Sequence, residues 1–297
     1  MRTKQQQEAL EYFRKHAGDW SLKAGGRGST RVNVIEQRNE YVLQVMDEHP
    51  AVCSFLDVGC GTGELVCSAT RGGTDAVGVD YAQEMIDLAS QKALDEAITK
   101  AKFVCCSIFD FEMRLESYDL ISANGFIEYI SQQEMHTFFD LVAEALAPGG
   151  SFVIGSRNRL FNLVSMNDFT LQELEAGAVD LLLREAIKWT TANEIVKVLK
   201  EDCAPLQAST TENPDTGIDV TTRFQYSPFQ LINLLQDRGL RAVEVYPIHI
   251  HGVTPSFSKA NTEIHFSISR LLQTHARHNP HLLAHASTFM LHVKKGK

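Results

Sequence analysis

Residues 54–63 read Ser54-Phe55-Leu56-Asp57-Val58-Gly59-Cys60-Gly61-Thr62-Gly63. An apolar, β-prone run ends in an acid and then in glycines at alternate positions, the pattern of a strand that turns sharply into a helix. Glycine lets a ligand rest against the main chain there, where a side chain would collide. A dinucleotide fingerprint needs its third glycine one place later, where Glu64 stands, and no Gly-Lys-Ser/Thr follows for a P-loop. The loop is expected to carry a small molecule by neither of those arrangements.

Outward from this stretch the chain alternates short apolar runs with segments long enough for crossover helices. AVGVD ends at Asp80, KFVCC at Cys106, YDLISA at Ala123 and SFVIGS at Ser156. Such alternation specifies βαβ units and a parallel sheet covered on both faces. AVEVYPIHIHG and ASTFMLHVKK supply two late strands that complete seven. Helix starts are marked by pairs that fit a capping box: Ser131 with Glu134, Thr170 with Glu173, Thr191 with Glu194, and Ser227 with Gln230. The last has Pro228 at its first helical position and Gly239 past its last apolar residue. The stretches 171–189 and 192–201 read as helices packed over the sheet edge.

The 297 residues are 44% apolar and 22% charged, the composition of a folded globular protein. A net charge of -9 argues against nonspecific binding of nucleic acid or an anionic membrane. No apolar run approaches the roughly 18 residues of a membrane span, and the opening MRTKQQQEALEYFRKH has no signal core, so a cytoplasmic location is expected. Cys53, Cys60, Cys67, Cys105, Cys106 and Cys203 lack CxxC or zinc-type spacing and read as reduced, mostly buried thiols. Eight of the eleven histidines lie between His249 and His292. Residues 241–297 carry seven Lys/Arg against two Asp/Glu, whereas 158–226 carry eleven acids against six bases. An anionic ligand would meet the tail and the arginines after the fifth strand.

Asp80 ends the second strand 17 residues after Gly63, where a carboxylate can accept from both hydroxyls of a ribose. With the acid and glycines of the first loop, this resembles the class I S-adenosylmethionine-dependent methyltransferases, from about Phe55 to the Pro148-Gly149-Gly150 turn. The resemblance implies a Rossmann-like, seven-stranded mixed sheet of order 3-2-1-4-5-7-6, helices on both faces and a helical insertion after strand five. Residues 1–50 would be an N-terminal helical cap and 51–157 the cofactor-binding core. Residues 158–226 would be a helical lid or substrate insertion, and 227–297 would complete the core with a connection over the active site. The cofactor would be S-adenosylmethionine, leaving as S-adenosylhomocysteine, with no metal. Gly59, Cys60, Gly61 and Gly63 would approach its methionine and ribose portions, while Asp57 orients the loop or reaches the ammonium through water. Tyr81 and Met85 would pack about ribose and adenine. Ser107 and Ile108 stand where the family reads adenine, a departure in which a hydroxyl replaces a carboxylate, with Asp110 as a substitute. Asn124 and Phe126 would surround the methionine amine and the methyl, and Arg38 would take the carboxylate unless it is a solvated helix cation.

An activated methyl sulfonium needs chiefly an aligned nucleophile and exclusion of water. His249 and His251, two apart at a strand end, point to one face and are candidate bases for an oxygen acceptor, or else hydrogen-bonded strand-end residues. No third ligand is apparent from spacing to make a metal site of this pair. Glu128 is a further candidate base or a helix-start carboxylate. Arg157, Arg159 and Asn162 could clamp an anionic group of the acceptor, or pair with the acidic insertion. Tyr12, Phe13 and Trp20 form an N-terminal flap or simple packing. Methyl transfer to a small molecule, at oxygen, by in-line displacement is the expected function, with no nucleic-acid or membrane partner. The alternatives are a carboxylate or amine acceptor, anionic or carrier-borne, and a cofactor-binding scaffold without chemistry. No Asn/Asp-Pro-Pro-Tyr or Pro-Cys follows strand four to indicate a nucleobase acceptor.

Overall fold

The structure, a computed structural model, describes residues 4–24, 32–49, 52–191, 202–206, 208–209 and 223–296. The five apolar runs become β1 (Ser54–Val58), β2 (Asp75–Asp80), β3 (Ala101–Cys105), β4 (Tyr118–Asn124) and β5 (Leu146–Arg157). A short antiparallel ladder follows, β6 (Ala208–Ser209) with β7 (Arg223–Phe224), and then β8 (Leu240–Ile250) and β9 (Ala286–Lys295). The main sheet runs β3-β2-β1-β4-β5-β9-β8. Setting the short ladder aside, this is the expected 3-2-1-4-5-7-6. β9 is antiparallel to both β5 and β8, and the remaining pairs are parallel.

Successive strand residues face opposite sides of the sheet, so continuous apolar runs feed two cores. Phe55, Leu120, Val153 and Met290 pack with Tyr41 and Val42 of α3 (Val34–Glu48) and with Leu65 and Val66 of α4 (Glu64–Arg71). Leu56, Ile121, Phe152, Ile154 and Leu291 pack on the other side with Phe138 and Phe139 of α6 (Gln132–Ala145) and Leu231 of α10 (Pro228–Gln236). At the β3 side, α5 (Gln83–Asp95) receives α1 (Lys4–Lys15) and α2 (Ala17–Ala24) through Leu10, Ala17, Ala82 and Met85. Among the described residues, no helix is long and apolar enough to cross a membrane.

Ser131 and Ser227 start α6 and α10 with complete capping boxes. The Thr170 start is corrected. Asn167 caps α8 (Asp168–Glu175), with Thr170 as its reciprocal partner, because Glu173 is taken by Arg159. Thr191 is the last described residue of α9 (Val179–Thr191), and its expected partner Glu194, with all of 192–201, lies outside the described residues. The stretch 171–189 is two helices, since Gly177 takes a φ of +65° between them. Along α9, Leu182, Glu185, Ala186 and Trp189 recur at helical spacing and are buried. Trp189 lies against Phe229, and Glu185 Oε1 accepts from Phe229 N at 2.8 Å and Trp189 Nε1 at 3.3 Å, so a buried carboxyl caps the first turn of α10. Burial raises that carboxyl to about 7, against its hydrogen bonds. The six thiols are free as expected, but Cys53 and Cys105 are exposed, and only Cys60 and Cys67 are fully buried.

Candidate active site

The carboxyl ends of β1, β2, β4 and β5 open onto one cavity of about 1360 Å³, at the point where strand order reverses between β1 and β4. The glycine loop forms its floor. Gly59 N and Cys60 N donate to Val79 O at 2.8 and 3.1 Å, tying the loop to β2. Gly61 N donates to Asp80 Oδ2 at 3.0 Å, and Ala82 N to Asp80 Oδ1 at 2.9 Å, so the acid that faces the cavity also fixes the turn. Burial raises the Asp80 carboxyl above its ordinary value, and the N–H groups of Ala82, Gly61 and Tyr81 pull it back. Asp57 is buried and accepts from Ser122 Oγ at 2.5 Å. Burial pushes Asp57 up to about 7; the Ser122 bond opposes this, and Asp80 and Glu64 add to it.

Arg38 enters from α3 at the ends of β4 and β5, its side chain 14% exposed. Gly125 makes room, since a Cβ there would sit 2.5 Å from Arg38 NH1. Arg38 NH2 reaches Thr288 Oγ1 at 3.4 Å and Glu128 Oε1 at 3.8 Å, and its buried Nε has no hydrogen-bond partner among the described residues. A cation held this way fits the carboxylate of an amino-acid moiety. Burial lowers the Arg38 pKa and Glu128 opposes that shift. Glu128 is 2% exposed and accepts from Arg157 N at 2.7 Å and Arg157 Nε at 3.0 Å. Both of its oxygens are engaged by arginine, and the residue lines the cavity beside Arg157 and Arg38.

Tyr81, Met85, Ser107, Ile108 and Asp110 wall the cavity on the β2 and β3 side, with Asn124 and Phe126 opposite. Phe126 is fixed edge-on to Phe138 at 5.0 Å. Tyr12, Phe13 and Trp20 line the mouth, with Phe13 edge-on to Tyr129 at 5.4 Å, and Gln6 bonds Glu134 at the start of α6. The N-terminal aromatics thus cover the cavity rather than packing away from it.

His249 and His251 reach the other end of the cavity, their rings 4.3 Å apart. His249 takes a φ of +52°, a conformation side chains disfavour, and its N–H is met by Gln37 and Gln273 side chains at 3.2 Å each. His265 joins them from α12 (Thr262–Gln273), its Nε2 3.1 Å from His249 Nε2. Gly252 permits this approach, because a Cβ there would lie 2.3 Å from Ile268 Cγ2 on the same helix. Ser287 Oγ meets His249 Nδ1 at 3.1 Å. Burial, followed by the neighbouring His251 and His265, holds His249 well below the usual imidazole value.

Two placements differ from expectation. Gly63 does not line the cavity: its φ is +77° and a Cβ would strike Ala89 at 2.7 Å and the Phe103 ring at 2.8 Å, so it serves helix packing. Arg159 is 2% exposed and bonds Glu173 through Nε at 2.8 Å and NH2 at 2.6 Å, with NH1 on Pro205 O at 2.6 Å. It ties α8 to the segment at Pro205 and does not line the cavity. His265, fourteen places beyond His251, stands with His249 and His251, a grouping that spacing along the strand did not suggest. Arg157 and Asn162 do line the cavity, though Asn162 Nδ2 is already shared between Glu173 and Gln225. His265, Gly125 and Gly252 were not singled out in the sequence. The crowding of histidines after residue 249 was the one signal for the first, and single glycines outside a motif gave none.

The arrangement defines a class. Residues 55–150 match the family model described as a methyltransferase domain, and they form a class I S-adenosylmethionine-dependent methyltransferase domain. The chain is 26% identical over 167 residues to a ubiquinone biosynthesis O-methyltransferase of Hydrogenovibrio crunogenus, covering 56% of this chain and 66% of that one. It is 33% identical over 179 residues to the ubiquinone biosynthesis O-methyltransferase of Nitrobacter winogradskyi, covering 59% of this chain and 60% of that one. The matches thus span less than two thirds of those relatives. The fold resembles magnesium protoporphyrin IX methyltransferase from Synechocystis, solved with bound SAH, at a TM-score of 0.55 and 13% identity over 98% of this chain and 100% of that one.

Proposed function

We propose that this chain transfers the methyl group of S-adenosylmethionine to an oxygen of a small-molecule acceptor. The observation that carries the reading is the meeting of the glycine loop, Asp57, Asp80 and the half-buried Arg38 on one cavity. Its volume exceeds the roughly 300–1,000 Å³ of a single-ligand pocket and so suits a cofactor with an acceptor beside it. Asp80 would take the ribose hydroxyls, Arg38 the carboxylate and Asp57 the ammonium. When bound, the cofactor supplies an activated methyl on a sulfonium. Glu128 fixes Arg38 and Arg157, so that the cavity presents oriented cations without reorganisation. Tyr12, Phe13 and Trp20 exclude water at the mouth. The insertion would act as a lid, and the histidine end would receive the acceptor. An oxygen acceptor is favoured because the curated relatives are named as O-methyltransferases.

Calorimetric titration with S-adenosylhomocysteine tests the cofactor half. We expect saturable binding that Asp80→Ala weakens by about 1.5–3 kcal/mol, roughly 10- to 150-fold, the range for hydrogen bonds to a charged group. No binding at millimolar ligand would sink the proposal. Methyl-labelled S-adenosylmethionine offered with phenols, carboxylates and amines tests the acceptor half, and transfer confined to amines would refute oxygen.

A further inference from the structure

We propose that His249, His251 and His265 form a binding site for one divalent transition-metal ion of the zinc class, at the acceptor end of the cavity. This goes beyond the cofactor reading and rests on it only for the role of the bound ion, not for binding.

The donor set carries the assignment. Each imidazole offers one nitrogen, and the ligand atoms all lie within 4.8 Å of one another. Zinc–nitrogen bonds of about 2.0–2.1 Å in a tetrahedron separate ligand nitrogens by about 3.3 Å. His249 Nε2 and His265 Nε2, at 3.1 Å, already stand at that edge length. Closing the widest separation takes about 1.5 Å, within the reach of ring rotations. Imidazole is the ligand type shared by zinc, copper, iron and nickel sites, and three protein ligands leave a fourth position open, the arrangement of catalytic rather than structural zinc.

The surroundings support a built site. A metal-bound histidine is normally oriented through its other ring nitrogen, and His249 has Ser287 Oγ on Nδ1 while Nε2 faces the cluster. Phe161 packs against His251 with centroids 4.7 Å apart, limiting its ring positions. His249 holds a disfavoured backbone conformation, and Gly252 is bare where α12 must approach. One disfavoured backbone conformation and one close approach that only glycine allows thus converge on bringing these rings together. All three histidines line the cavity, so the open position faces the space left for the acceptor.

On the methyltransferase reading, an acceptor hydroxyl entering that position would lose its proton to solvent as its oxygen binds the metal. The oxygen lone pair would then form the O–CH3 bond while the S–CH3 bond breaks and sulfur keeps the electron pair.

The full chain, stripped with chelator and titrated with Co²⁺, tests the site. We expect one equivalent to give the visible absorption of four- or five-coordinate cobalt, displaced by Zn²⁺. His249→Ala and His265→Ala should each weaken Co²⁺ binding beyond the 10- to 100-fold typical of losing an outer-shell partner. S-adenosylhomocysteine titration of the same samples reports folding and the cofactor reading independently. Should a histidine variant lose that binding too, His265→Gln, which keeps a polar side chain on α12, takes its place. A wild-type chain that binds S-adenosylhomocysteine but shows no cobalt band, or a band unchanged in the variants, overturns the metal site and leaves the cofactor reading standing. A cobalt band without S-adenosylhomocysteine binding supports the site and sinks the cofactor reading.

Discussion

Alanine at Gly61 and at Gly63 separates two jobs that the glycine loop performs at adjacent turns. Both residues have positive φ, +53° and +77°, which a β-carbon disfavours by about 1–2 kcal/mol. At Gly63 the new carbon also meets Ala89 Cβ at 2.7 Å and the Phe103 ring at 2.8 Å, both anchored between α5 and β3. Overpacking of that kind adds about 1–3 kcal/mol, so Gly63→Ala should destabilise the fold by about 2–5 kcal/mol. Gly61 meets nothing within 4 Å and lines the cavity, so Gly61→Ala should cost only the backbone share of about 1–2 kcal/mol. At about 2–4 °C per kcal/mol, the melting points should fall on the order of 10 °C for Gly63→Ala and a few degrees for Gly61→Ala. S-adenosylhomocysteine affinity should show the reverse order, because the Gly61 methyl enters the ligand's space. Thermal unfolding and calorimetry on the two variants read both quantities. Equal destabilisation, or full affinity in Gly61→Ala, would refute the assignment.

The charges lend themselves to three further checks. Asp57 stands near 7 in the free protein, so a ligand ammonium beside it requires loss of a proton, and S-adenosylhomocysteine affinity should rise from about pH 5 to about pH 7 and level off above. Asp57→Asn should flatten that rise, and a wild-type profile without slope would dismiss the ammonium contact. Glu185 is raised from 4.5 to about 7, so its contribution to stability is fully present below pH 4.5 and is lost as pH climbs through 7. Glu185→Gln should therefore gain stability relative to wild type at pH 8, by at most about 3 kcal/mol, and little at pH 4.5, as read by urea unfolding at the two pH values. Breaking the buried Arg159–Glu173 pair by Arg159→Leu should cost about 3–5 kcal/mol, and adding Glu173→Leu should recover most of it, because the unpaired carboxylate is the penalty. A double variant no more stable than the single would show that the pair is needed for geometry.

The glycine-loop side of the cavity was legible because its residues are local. Asp57 to Gly61 is one strand-to-helix turn, and Asp80 lies at the end of the next strand, so residue type and spacing carry the geometry. The sheet followed for the same reason, each strand being an apolar run bounded by a turn. Arg159 and Arg157 show where this stops. Two places apart, they read alike, yet Arg157 lines the cavity and Arg159 is sealed behind Glu173 of α8. A charged residue declares that it needs a partner, and only the fold says whether the partner is the chain's own carboxylate or a ligand. Glu128 is a similar case, because the arginines that engage it come from α3 and from the end of β5. His265 is a further case, visible only once Gly252 lets α12 close on the strand end.

The reversed strand explains how two ends of the cavity are held in fixed relation. A parallel β9 would bring its carboxyl end to the cavity; running antiparallel, it brings its first residues instead. Thr288 lies in register between Arg157 on β5 and Ile248 on β8, one residue before His249. Thr288 Oγ1 accepts from Arg38 and the adjacent Ser287 Oγ meets His249. The cation proposed for the cofactor's carboxylate and the histidines proposed for the acceptor are thus tied to consecutive residues of one strand. Spacing between the two ligands is then set by a sheet row rather than by loops, which is the rigid support that in-line transfer demands. Thr288→Val, which keeps the shape and removes only the hydroxyl, should loosen Arg38 by about one hydrogen bond, roughly 1.5–3 kcal/mol in S-adenosylhomocysteine affinity, without altering Co²⁺ binding at the histidines. Loss of both together would mean that the row acts as one unit, and loss of neither would show that Arg38 is positioned by Glu128 alone.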